Sequence, residues 1–174
     1  RSALRTGDRQ AQVGMHARLS AEEVTDVLTD DSAQLTGVFA LDRCVQPRVA
    51  VFGKKDYQQL LVVRAMARQL DLPVEVVAGE TVREADGLAM SSRNSYLAPE
   101  ERRKAVVLYR AFMAGRDLFI SGETDPGHLK ERMRAVIGQD SGISIDYLEI
   151  VDPESLTPLE RTFPGAVFLA AIRV

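Results

Sequence analysis

An unbroken apolar run, Val49-Ala50-Val51-Phe52, stops at Gly53, and apolar residues at near-helical spacing follow at Leu60, Leu61, Val63, Ala65, Met66 and Leu70. This juxtaposition constrains the fold more than any other stretch of the chain. A short, continuously apolar run ending at a glycine predicts a buried parallel strand that stops at a sheet edge. The spacing after Asp56 predicts a helix, with Pro73 beyond its end. Val74-Glu75-Val76-Val77 reads as a second strand. Strand, helix and strand within about 30 residues form a βαβ unit, and parallel strands of this kind favour ligand binding at their carboxyl ends.

At Thr81 the pattern changes, and a domain boundary is expected near residue 80, with α/β before it and α+β after it. A polar loop containing Gly87 leads to Pro99, placed for a helix start, and that helix is expected to run to about Ile120, where Ser121-Gly122 closes it. Pro126-Gly127 precedes a shorter helix from about His128 to Ile137. Ile143 to Val151 alternates in its first half like a half-exposed strand, Ala166 to Ile172 is another strand, and a Pro-rich loop from Asp152 to Gly165 joins them. Upstream, residues 1–19 are polar and basic with few apolar anchors. Ser20-Ala21-Glu22-Glu23 is a capping-box pattern opening a short helix through about Leu28. Leu35 to Val45 is compatible with helix or strand and ends at Gln46-Pro47.

The balance of 22 Lys plus Arg against 25 Asp plus Glu, a formal charge of −3, provides no bulk attraction for nucleic acid or anionic membrane, so any anion site must be local. No run approaches the roughly 20 apolar residues of a membrane span, and the N-terminal residues have no apolar run like a secretory signal. The single cysteine, Cys44, cannot form an internal disulfide; it reads as a buried core thiol and points to a reducing compartment, which makes the cytoplasm the expected location.

Two stretches carry chemistry. Phe52-Gly53-Lys54-Lys55-Asp56-Tyr57-Gln58-Gln59 lies where a strand hands over to a helix. Glycine admits a ligand to the backbone, the coming helix offers free N–H groups and lysine adds a movable charge, which together suit a phosphate or carboxylate; Asp56 and Gln59 suit hydroxyls. A solvated turn is the alternative. In Arg83 to Asn94, Ser91-Ser92-Arg93 places two hydroxyls beside a planar, permanently charged fork, a set that suits the outer phosphates of a nucleotide. There the alternative is an N-cap cluster with a surface arginine.

Together, FGKKDYQQL at 52–60 and TVREADGLAMSSRNSYLAPEER at 81–102 closely resemble two signature stretches of the pantothenate synthetase family, the pantoate–β-alanine ligases. SIDYLEIVDPESLTPLE at 144–160 resembles a third, and the likeness is continuous from about Val45 to Val174. The resemblance implies a partial Rossmann-like nucleotidyltransferase domain with a parallel sheet, residues 1–80, followed by a small α+β C-terminal lid domain, residues 81–174. It further implies ATP with Mg2+, pantoate and β-alanine as ligands, and a homodimer. Carried over residue by residue, Gly53 and Asp56 would lie by the ribose, Lys55 by the phosphates, and Gln59 by the pantoate hydroxyl and carboxylate. Val82 would meet adenine through its backbone, and Met90, Ser91, Ser92 and Arg93 would reach the triphosphate from the lid. The implied reaction is attack of the pantoate carboxylate on the α-phosphorus, then attack of the β-alanine amine on the acyl adenylate. No metal-ligating residue is implied.

The chain departs from the family pattern in its first third. The Pro-Thr-Met-Gly segment and the His-x-Gly-His pair are absent, and the only histidines are His16 and His128, both read as solvated surface residues. The Arg-Pro-Gly-His-Phe-x-Gly-Val stretch expected before Val45-Gln46-Pro47 is also missing. Three origins are expected for this departure: a fragment with a foreign leader, residues 1–47 as non-contiguous pieces of a longer protein read as one string, or loss of the family's N-terminal half. Three functions stay open: a ligase, a non-catalytic nucleotide-binding or dimerisation module, and a nucleotidyltransferase for a different acid.

Overall fold

The computed structural model describes residues 44–174. The helix expected from Ser20, the run from Leu35 as far as residue 43, the polar stretch 1–19 and His16 lie outside the described residues.

Strands β1, Val49–Gly53, and β2, Glu75–Gly79, pair in parallel, with Val49 opposite Glu75 and Gly53 opposite Gly79. Helix α1, Tyr57–Gln69, joins them after a single 3-10 turn at Lys54–Asp56. One stripe of α1, Val62, Val63 and Met66, is buried on Phe52 and Val76 of this sheet. Its neighbouring stripe, Tyr57 and Leu61, packs on Val151, Leu156 and Leu169 from the far end of the chain. The Tyr57 hydroxyl donates to the Pro153 carbonyl at 3.1 Å across the same contact. α1 is thus a wall shared by the two halves.

β1 is parallel as expected but is not buried on both faces: Val49 is 50% and Val51 68% exposed. Continuous apolar runs are buried when layers cover both sides of a sheet, and among the described residues α1 covers one side only. Cys44 is exposed and is not a core thiol. The apolar letters there extend only to Val45, itself 67% exposed, too short a run to turn both side chains inward.

The single helix expected from Pro99 to about Ile120 is two helices, α2, Pro99–Ala105, and α3, Val107–Ile120. Ala105, Val106, Val107 and Leu108 are all buried, and four successive side chains point around most of a helix's circumference. No single apolar stripe accommodates that. The turn at Val106 sends Ala105 and Val106 to Leu88 and Leu97, and Val107 and Leu108 to the main core.

Helix α4, Pro126–Ile137, starts two residues before the expected His128 because Asp125 caps it, accepting from the amides of Gly127 at 2.6 Å and His128 at 3.1 Å. Gly115 on α3 permits a close approach of α4, since a Cβ there would lie 2.8 Å from Met133. Beneath α3 and α4 lies an antiparallel pair, β3, Ser144–Val151, and β4, Val167–Arg173, with one irregularity between Ile145 and Tyr147. Leu108, Ala111, Met133, Ile137, Leu148 and Ile172 form the centre of this larger core. The fold is α/β followed by a small sheet-and-helix unit, as expected.

Candidate active site

The carboxyl end of β1 delivers the chain to Gly53, whose φ of −72° any residue can adopt. A Cβ there would meet nothing within 4 Å, so the glycine leaves open space beside the backbone at the strand's end. Lys54 pairs with Glu80, just past β2, and Lys55 is half-buried with Nζ 3.4 Å from Asp56 Oδ1. Gln59 follows in the first turn of α1. Beside it Gln58 is buried, and its Oε1 has no hydrogen-bond partner among the described residues.

Lys54 and Lys55 face a cleft of about 350 Å³ whose opposite wall comes from α3 and β4. Arg83 and Arg116 also line it, together with Phe112, Phe163 and Phe168, and among the described residues no carboxylate does. A lining that combines cations and aromatic side chains suits an anion with an apolar or planar body. Thr162 lines the same cleft, buried, with an Oγ1 that has no partner among the described residues.

The second stretch folds as a tight excursion. Arg83 and Ala89 form an antiparallel bridge, and the Met90 amide donates to the Val82 carbonyl at 2.9 Å. Gly87 turns the tip with φ +94° against the ring of Tyr109, over which the Arg83 guanidinium stacks at 4.9 Å. Ser91 caps the next 3-10 turn, Ser92–Tyr96, its Oγ accepting from the Arg93 amide at 3.2 Å. The Asn94 amide group donates to the Ala89 carbonyl at 3.0 Å and to Glu84 at 3.3 Å. Arg102 of α2 bonds Asp86 Oδ2 at 2.6 Å and also bonds Glu84. The bond to Asp86, foremost, holds that carboxyl below the usual carboxylate range.

Of the residues picked out from sequence, Lys55 lines the cleft, while Gly53, Asp56 and Gln59 stand on the same strand–helix junction. Val82 and Met90 are 64% and 57% exposed on the excursion, and Ser91, Ser92 and Arg93 follow it in the next turn, outside the cleft lining. Sequence reasoning passed over Arg116 as a cleft cation and Arg102 as a clamp. Arg102 has no local signal because its partners Glu84 and Asp86 lie on a remote stretch, and Arg116, which bonds its neighbour Asp117, meets the other cleft cations only through the fold. Lys54 and Arg83 were within reach, standing inside the two recognised stretches. His128 is exposed at the start of α4, far in sequence from either stretch.

A parallel βαβ unit with an open, cationic strand–helix junction, facing a small antiparallel unit across an anion-suited cleft, defines the nucleotidyltransferase-like α/β class. The family model for Pantoate-beta-alanine ligase matches residues 32–174, and the chain belongs to that family. A pantothenate synthetase of Thermus thermophilus is 51% identical over 143 residues, 79% of this chain and 50% of that protein. One from Anaeromyxobacter dehalogenans is 46% identical over 136 residues, 78% of this chain and 47% of that protein. A crystal structure of a Thermus thermophilus pantothenate synthetase superposes with TM-score 0.74 at 40% identity, covering 91% of this chain and 63% of that chain. The chain spans about half the length of the curated relatives it matches.

Proposed function

We propose that the chain carries part of the site of an ATP-dependent ligase that joins pantoate to β-alanine, giving pantothenate, AMP and pyrophosphate. Family membership supports the reaction. The observation that carries the reading at the site is half-buried Lys55, at the end of a parallel strand, facing a cleft lined by cations and, among the described residues, by no carboxylate. In the first step a pantoate carboxylate oxygen attacks the α-phosphorus of Mg2+-bound ATP and pyrophosphate leaves. In the second the β-alanine amine attacks the acyl adenylate carbonyl, AMP leaves and the amine gives up its proton. Both reactants of the first step are anionic, so the residues align and neutralise them rather than move protons. Lys55 serves the phosphates, Gly53 and Asp56 the ribose, Val82 the adenine edge, and Gln59 the pantoate hydroxyl and carboxylate. Met90, Ser91, Ser92 and Arg93 reach the triphosphate from a lid, residues 81–174, that closes on residues 1–80. The metal enters with the nucleotide, as substrate.

The reading extends to a homodimer, checked by sedimentation velocity at micromolar concentration, and to the cytoplasm, checked by fractionation. No helix among the described residues is long and apolar enough to cross a membrane.

A second reading, a nucleotide-binding or dimerisation module without turnover, is favoured by one feature: the sequence contains no His-x-Gly-His pair. Losing one preorganised donor commonly lowers rate by ~10²–10³. We therefore expect the 174-residue chain alone to bind ATP weakly, in a manner sensitive to Lys55→Ala, and to form pantothenate at a negligible rate. Calorimetry with ATP and an assay for AMP release requiring both pantoate and β-alanine test this. Robust turnover abolished by Lys55→Ala would overturn this second reading. AMP release with another acid in place of pantoate would point to a different substrate, and absence of ATP binding would overturn the site.

A further inference from the structure

The guanidinium of Arg102 is the point where two remote pieces of the chain are tied. One nitrogen donates to Asp86 Oδ2 at 2.6 Å and another to Glu84. The remaining oxygens of both carboxylates are used as well. Asp86 Oδ1 accepts the Leu88 amide at 3.1 Å, which sets the tip of the excursion, and Glu84 Oε1 accepts from Asn94 at 3.3 Å. Asn94 immediately follows Arg93 and sits within the 3-10 turn that Ser91 caps. A continuous chain of bonds therefore runs from α2 through Glu84 to the turn presenting Ser91, Ser92 and Arg93.

We propose that Arg102 is a positioning residue for phosphate binding: by forking across Glu84 and Asp86 it holds the 83–94 excursion in the one shape that presents Ser91, Ser92 and Arg93 together. The inference rests on the assignment of those three residues to the triphosphate. Arg102 touches no ligand itself. Its side chain is 32% exposed and those of its partners 35% and 40%. Ion pairs this open contribute little to global stability, so the fork is expected to act on local shape. Two carboxylates at fixed separation need a planar fork; a lysine ammonium keeps the charge but is a point donor.

The test uses the 174-residue chain, inorganic pyrophosphate with Mg2+ as the probe, and three readouts: calorimetric affinity, hydrogen exchange by segment, and thermal midpoint. Arg102→Ala and Arg102→Lys are both expected to weaken pyrophosphate binding about tenfold or more, since small misplacements of binding groups carry large penalties. Both are expected to speed exchange across 84–96 and to leave α3, β3, β4 and the thermal midpoint nearly unmoved. Full rescue by lysine would show that charge alone matters and would overturn the positioning role, as would unchanged affinity or exchange that rises uniformly. Arg93→Ala separates the two levels. If it weakens binding while Arg102→Ala does not, the positioning role alone fails; if neither it nor Lys55→Ala has any effect, or the wild-type chain binds no pyrophosphate, the phosphate assignment fails and takes the role of Arg102 with it.

Discussion

Gly87 has φ +94°, and a Cβ built on it would lie 1.9 Å from Cδ1 of Tyr109. Two separate costs meet there, the left-handed backbone and an overlap with a ring that is itself stacked under Arg83. Gly87→Ala is therefore expected to destabilise the fold by roughly 2–4 kcal/mol, measured by denaturant unfolding; a change below the error of that measurement would show that the excursion can rearrange around Tyr109. The glycine was visible in the sequence only as a loop residue. What it faces is a tyrosine on α3 well along the chain, which no local pattern announces. Lys55, by contrast, drew notice from its setting, because glycine and lysine at a strand-to-helix junction suit an anion, although a solvated turn has the same local pattern.

Among the elements, the start of α4 contains a titrating pair. His128 Nδ1 lies 2.9 Å from Glu123 Oε2, and this bond first, then the charge of Asp125, holds the imidazole above its ordinary value of 6.5. Glu123 is held below its ordinary value of 4.5, first by the Asp125 amide and then by His128. Stability from the histidine is complete below its unfolded value and is lost as pH rises through its raised folded value. Stability from the glutamate is present above its unfolded value and is lost as pH falls through its lowered one. The pair thus stabilises most between 4.5 and 6.5. An NMR titration should find His128 raised in the wild type and lowered by Glu123→Gln; a titration indifferent to that substitution would dismiss the pair. The elements themselves were largely readable: α1 follows apolar spacing, α4 follows Pro126-Gly127, and β3 follows alternation. The break between α2 and α3 was not readable, because it is imposed by what surrounds residues 105–108 and not by any helix breaker in the sequence.

At the scale of the whole molecule, the two halves differ in how much they bury among the described residues. Around β1 and β2 the buried cluster is Val62, Val63 and Met66, and the sheet face near them borders an apolar cavity of about 280 Å³. Around β3 and β4 it is a larger set extending from Val107 to Ile172. Each such side chain contributes about 1.5–3 kcal/mol by burial, and a two-stranded sheet is marginal unless well covered. Amides of β1 and β2 are expected to exchange with solvent at least about tenfold faster than those of β3 and β4; equal protection would mean that α1, packed on both clusters, couples the halves into one cooperative unit. By itself the sequence determined the βαβ unit and the family, since periodicity, glycine, proline and family motifs are written locally. Only the tertiary structure decided that, among the described residues, α1 alone covers β1, that Arg83 and Arg116 join Lys55 at one cleft, and that Arg102 ties Glu84 to Asp86. Each of these depends on which distant side chains share a space, and that is set by packing rather than by any local run of residues.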